Sequence, residues 1–154
     1  MTKPVPKDYE LPLYLFHEGS LYAAYDFFGC HPYELDGVKG HIFRVWAQKA
    51  EAVALVGDFN NWDETANHME QLGDTGVWEL FVEGLKTYDS YKYAITGCDG
   101  VLRLKADPYG THMGVAPATD SKIFDIDGYQ WSDKIYQDQK KKKNIYESPM
   151  NIYE

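Results

Sequence analysis

The sequence predicts an all-β fold, an antiparallel β-sandwich of immunoglobulin-like outline with a short N-terminal helical segment. Three observations predict it. Between residues 41 and 126 apolar side chains recur at every second position, the period of a half-buried strand. Gly- and Asp-rich turns, among them "DGVKG", "GDTG" and "GCDG", cut that alternation into short runs. No long helical pattern alternates with the runs, as a parallel α/β sheet would require.

The elements follow in chain order. Residues 1–10 contain Pro and Lys and read as a loose leader. In "LPLYLFHEGSLYAAYDFF", Ser20 can cap a short helix on which Tyr22, Tyr25 and Phe28 recur every three residues, with Gly29 as its stop. "HIFRVWAQ" sets Phe43, Val45 and Ala47 against Ile42, Arg44 and Trp46. "EAVALVGDF" is the next strand, and "VWELFVEG" places Trp78, Leu80 and Val82 opposite Glu79 and Glu83. "DSYKYAITG" alternates Tyr91, Tyr93 and Ile95 with Lys92 and Ala94, so Lys92 points outward if the tyrosines are core. "GVLRLKA" and "SKIFDID" complete the set. After Ile126 the chain turns polar with scattered aromatics, and Lys140 to Lys143 read as a solvated linker. The organisation expected is an N-terminal segment over 1–28, a sandwich over 29–128 and a linker over 129–154.

Composition narrows the function. The chain has 154 residues, room for one domain with a real core. A net charge of −9 disfavours nucleic acid and anionic membrane, both of which recruit Lys and Arg, so no nucleic acid and no membrane partner is expected. No apolar run nears the roughly 18 residues of a membrane span, and the start lacks the apolar stretch of a signal peptide, which places the chain in the cytoplasm. Cys30 and Cys98 have no close partner, and His17, His31, His41, His68 and His112 are scattered, so neither metal nor cofactor is expected. No nucleophile motif, phosphate loop or dinucleotide fingerprint occurs, and no carboxylate pair stands out, so no catalytic residue is assigned. Aromatics make up 16% of the residues, a share that suits strands and sugar-binding surfaces alike.

The segment "VGDFNNWD" raises the sharpest question, because a large ring, Trp62, directly follows a polar turn. Such a ring either caps the core or offers a platform to a ligand. Together with "FRVWA", "GVWELFVEGL", "YKYAI", "LKADPYG" and "FDIDGYQWSD", in that order, it resembles the N-terminal region of bacterial 1,4-α-glucan (glycogen) branching enzymes. "GDFNNW" is shared more widely across carbohydrate-binding module family 48, which includes the glycogen-binding module of the AMP-activated kinase β subunit and modules of debranching enzymes. The resemblance implies a parent enzyme that cleaves an α-1,4 linkage and transfers the segment to a 6-hydroxyl, using an Asp and a Glu of a (β/α)8 barrel that this chain lacks. It also implies that "SPMNIYE" begins that barrel, and that the partners are an α-1,4-glucan and the barrel itself.

In kinase-type modules the Trp of "FNNW" and the Lys of "YK" contact the glucan, and these match Trp62 and Lys92; Thr119 matches a contacting Thr in a later loop. Asn60 and Asn61 are expected to shape the turn. The second stacking Trp of those modules is missing, with Val101 and Leu102 in its region, which predicts weaker binding. Trp46 and Trp78 are expected to be packed, and Trp131 to anchor the linker against the module or the barrel. Three alternatives stay open: a regulatory glycogen-binding module without an enzyme, a sandwich that binds no sugar, and the module of a debranching enzyme.

Overall fold

The computed structural model describes residues 9–127 and 129–154, so most of the leader lies outside the described residues. Two antiparallel sheets face each other. The first has the order β1-β2-β5-β4, formed by β1 (Gly29–Leu35), β2 (Val38–Trp46), β4 (Glu70–Gln71) and β5 (Val77–Glu83). The second contains β3 (Ala50–Gly57), β6 (Ser90–Gly97), β7 (Leu102–Lys105), β8 (His112–Met113) and β9 (Ser121–Lys122). Strand β6 is its hub. It pairs with β3 along one edge, while its other edge is shared by β9 at Ser90–Tyr91 and β7 at Tyr93–Thr96.

Local chemistry explains the joints. Asp36 and Gly37 both take positive φ in the two-residue loop joining β1 to β2, the Asp-Gly signature of a tight hairpin. The inward faces then fill as the alternation predicts: Phe43 and Val45, Val53 and Leu55, Trp78 and Leu80, and Tyr91 and Tyr93 form one core with Met69 and Ile123. The Trp78 indole donates to the Ala47 carbonyl at 3.1 Å.

Alternation fails on the outer face of the first sheet. A second apolar layer, Leu13, Phe27, Phe28 and Val77, covers it, so Ile42, Arg44 and Glu79 are buried as well. Glu79, which the alternation sets opposite the core face, accepts a hydrogen bond from Arg44 Nε at 2.5 Å, and the Phe27 ring lies 4.5 Å from the guanidinium carbon. The N-terminal helix also differs from expectation. Helix α1 is Glu10–His17, with Pro12 accommodated in the first turn, where no amide partner is lost. Gly19, at φ +73, ends it; the Ser20 hydroxyl donates back to the Leu15 carbonyl at 3.4 Å, at the end of α1, and starts no helix of its own. Only a single 3-10 turn, Ala24–Asp26, follows, and Tyr22 and Tyr25 are exposed.

Two tryptophans depart too. Trp46 is 49% exposed, because its neighbour Val45 takes the inward position; the Phe16 ring meets it edge-on. Trp131 is 76% exposed, its ring meeting that of Tyr129 at 4.9 Å and no core cluster, so it does not anchor the tail to the described module. Part of the segment read as linker forms helix α2 (Lys134–Lys142), which carries three of the four lysines in an exposed last turn, where they oppose the negative end of the helix dipole.

A buried acid ties the second sheet together. Asp107, 3% exposed, accepts hydrogen bonds at Oδ2 from the Tyr91 hydroxyl (2.7 Å) and the Tyr93 hydroxyl (3.1 Å). Its Oδ1 accepts from the Tyr109 amide, and its own amide donates to Ser121 Oγ at 2.9 Å. Burial raises the Asp107 pKa above the ordinary carboxylate value, despite the three donors that pull it down. The folded state therefore binds that proton more tightly than the unfolded chain, and the resulting stabilisation is lost as pH rises from the unfolded value of about 3.9 through the folded one. Asp107→Asn lacks this titration. Chemical unfolding at a series of pH values should show wild type losing stability relative to Asp107→Asn across that window, whatever constant offset the lost acceptor adds. Asp107→Ala should cost about 1–3 kcal/mol for each orphaned tyrosine hydroxyl.

Candidate functional site

The site grows from the end of β3. Gly57 is the last strand residue, and a Cβ there would lie 2.3 Å from the Ser90 carbonyl, so only glycine permits this approach to β6. The chain then makes a 3-10 turn, Asp58–Asn60, held by the Asn60 side chain. Asn60 Oδ1 accepts from the Gly57 amide at 2.9 Å, while Nδ2 donates to Leu55 O (3.0 Å), Asn67 Oδ1 (2.9 Å) and Asp63 O (3.2 Å). Asn61 follows at φ +54, in the left-handed region that Asn tolerates. Both asparagines thus shape the turn, as their residue type predicts.

Trp62 also has positive φ, +61, which a bulky side chain adopts only when its surroundings enforce it, at about 1–3 kcal/mol. The enforcing contacts are visible. The Trp62 amide donates to Gly57 O at 2.9 Å, and its indole Nε1 donates to Asp58 Oδ1 at 3.1 Å. Asp58 Oδ2 in turn accepts from the Ser90 amide at 2.8 Å, two residues before Lys92. The ring is 39% exposed and belongs to none of the core clusters, whereas Phe59 packs against the core in its place.

Lys92 lies outward on β6, opposite the core tyrosines and paired with Val56. Its Nζ donates to Thr119 Oγ1 at 2.7 Å. An ammonium carries three donors, so two remain for a ligand, and the threonine hydroxyl keeps its own proton to donate. The structure thus joins Lys92 directly to Thr119 and ties Trp62 to the same strand through Asp58. Around them Lys122 Nζ donates to Ser90 Oγ at 2.9 Å and lies 3.8 Å from Asp120 Oδ2. A hydrogen bond from Ser90, with Lys122 and Lys92 nearby, holds the Asp120 carboxyl below its usual range.

The floor beside Lys92 is small and apolar: Val56, Ala54 and Ala94 are buried on this outer face. Leu104 pairs with Ala94 and is exposed, so it shares the face. Sequence reasoning looked for a second platform at Val101 and Leu102 and passed over Leu104; cross-strand register was the missing signal. Asp58 was missed as well, because an acid in a turn has no periodicity to mark it. Among the described residues no group of three or more His, Cys, Asp or Glu side chains is placed to hold a metal.

An outward indole, an ammonium and a hydroxyl suit a neutral polyhydroxylated ring. Residues 27–110 match the family Carbohydrate-binding module 48 (Isoamylase N-terminal domain). The chain belongs to this family. Among its relatives, the 1,4-alpha-glucan branching enzyme GlgB of Bacillus subtilis (strain 168) is 45% identical over 142 residues, 92% of this chain and 23% of that protein. The GlgB of Geobacillus stearothermophilus is 43% identical over 145 residues, 94% of this chain and 23% of its own length. The chain therefore spans under a quarter of these relatives. Among solved structures, the pullulanase from Bacillus acidopullulyticus aligns with TM-score 0.51 and 29% identity over 64% of this chain and 12% of its own. A maltotriose complex of a Klebsiella pneumoniae PulA mutant gives 0.51 and 25% identity over 67% of this chain and 12% of its own.

The turn geometry sets a separable pair of outcomes. Asn60→Ala removes four hydrogen bonds and should lower stability by about 2–4 kcal/mol, at roughly 1 kcal/mol per net bond. Trp62→Ala, outside the core, should change it by under about 1 kcal/mol. Urea unfolding of both variants measures the contrast. A Trp62→Ala loss near 3 kcal/mol would mean that the ring is a core cap.

Proposed function

We propose that this chain is the N-terminal glucan-binding module, residues 29–128, of a bacterial 1,4-α-glucan branching enzyme that acts in the cytoplasm. The observation that carries the binding role is the Lys92–Thr119 hydrogen bond on the face to which Asp58 ties Trp62. A pyranose of an α-1,4-glucan stacks its C–H face on the Trp62 indole while Lys92 and Thr119 hydrogen-bond its hydroxyls. The branching-enzyme assignment is supported by the likeness to GlgB over nearly the whole chain. The transfer chemistry belongs to the remainder of such an enzyme, its catalytic barrel, which is the module's second partner. This chain supplies no catalytic group of its own.

Two features set the strength. Among the described residues Trp62 is the one indole tied to this face, and Leu104, paired with Ala94 on the same face, is an exposed aliphatic and not a second ring. Binding should be weak, around millimolar, or about −4 kcal/mol. Calorimetric titration with maltoheptaose should detect it in the wild-type chain, and Trp62→Ala and Lys92→Ala should each remove it. Full binding by a folded Trp62→Ala variant would place the sugar elsewhere. No binding by the wild type would leave the module a structural buttress of the barrel.

A further inference from the structure

The half-exposed Trp46 stands far from this face, and its surroundings are built rather than incidental. β2 ends on Trp46 and β3 begins at Ala50, joined by a turn that three hydrogen bonds pin: Ala50 N to Ala47 O (3.1 Å), Ala47 N to Gly76 O (2.8 Å) and Trp78 Nε1 to Ala47 O (3.1 Å). Gly76, at φ +74, is required there, since a Cβ would lie 2.8 Å from Gln48 Cα. Phe16 fixes the Trp46 ring from one side, edge-on at 5.8 Å. Trp46 also lines an open concavity of about 440 Å³, together with Ala47, Gln48, Lys49, Ala50, Ile95 and Gly97. That volume falls within the roughly 300–1,000 Å³ of small-ligand pockets.

We infer that this concavity is a second carbohydrate site, with Trp46 as its platform and Gln48 and Lys49 as its hydrogen-bonding rim. The inference rests on the glucan-binding reading of the module and adds a locus to it. The chemistry selects the ligand class. A fixed indole over an apolar floor takes the C–H face of a sugar ring, and an amide with an ammonium addresses its hydroxyls. Both rim side chains are exposed and make no hydrogen bond to any described residue. A single lysine without arginine makes a poor phosphate clamp, and the net charge of −9 disfavours polyanions. The seven steps of β3 from Ala50 to Gly57 span about 23 Å at 3.3 Å per residue, and the turns carrying the two tryptophans leave from opposite ends of that strand.

Maltotriose added to the 15N-labelled chain tests this through the indole N–H resonances. Both the Trp46 and Trp62 signals should move, each with its own isotherm. Trp62→Ala should leave the Trp46 isotherm intact, and Trp46→Ala should leave that of Trp62. The Gln48→Ala/Lys49→Ala variant, which keeps the Phe16–Trp46 contact, should weaken the Trp46 isotherm by about tenfold, or 1.4 kcal/mol. Glycerol at equal concentration should move neither. A static Trp46 signal beyond saturation of Trp62 overturns the second site and leaves the first standing, as does a Trp46 shift that glycerol reproduces. Movement of Trp46 alone supports the second site and removes the first. Silence from both overturns both.

Discussion

The bond between a buried carboxylate and two tyrosines is what the rest of this structure depends on. Asp107 sits in the turn after β7 and reaches the core-facing side chains of β6, the strand at which β3, β7 and β9 meet. Burial pushes the pKa values of both tyrosine hydroxyls well above their ordinary range, with the Asp107 charge adding to it, so they remain donors at every working pH. Holding Tyr91 and Tyr93 inward fixes the facing of the residue between them. Strand periodicity allows Lys92 no direction but out. The same turn supplies Tyr109, whose ring stacks on Phe28 at 5.3 Å and closes the second apolar layer. One four-residue stretch, Ala106 to Tyr109, thereby couples the N-terminal segment, the hub strand and the β9 edge.

From that constraint the outer face follows. Lys92 can meet Thr119 because β9 takes the edge of β6 beside it, leaving β7 the other half of the same edge. Trp62 is held by a different device, a turn whose asparagine satisfies backbone groups that the strand end leaves open. The left-handed backbone at Trp62 stores strain that the Asn60 and Asp58 bonds offset, and stored strain of this kind accompanies preorganised sites. A ring fixed in advance loses little entropy on stacking, which favours a shallow sugar site with few contacts.

Most of the inner core was legible in the sequence. The period-two runs located the inward faces of β2, β5 and β6 because each sheet buries one face against the other. The same rule misread Arg44 and Glu79. It assumes that the opposite face is wet, and nothing local to β2 reveals that Phe27 and Phe28 fold back over part of it and stop short of Trp46. The helix expected after Ser20 followed an aromatic spacing, whereas α1 forms earlier, over Glu10–His17, where Pro12 fits the first turn. At the site, the outward Lys92 and the turn at Asn60 and Asn61 were readable from residue type and alternation. Thr119 was not, since its contact with Lys92 spans 27 positions, and it entered only through family resemblance.

The central claim is that one outer face, carrying Trp62, Lys92 and Thr119, receives the glucan. Intermolecular nuclear Overhauser effects between maltoheptaose and the labelled chain test it most directly, because they report contact rather than affinity. The account predicts cross-peaks from sugar C–H protons to the Trp62 indole and to the Lys92 side-chain methylenes in the same complex. Cross-peaks that reach neither residue, in a chain that binds the sugar, would contradict it.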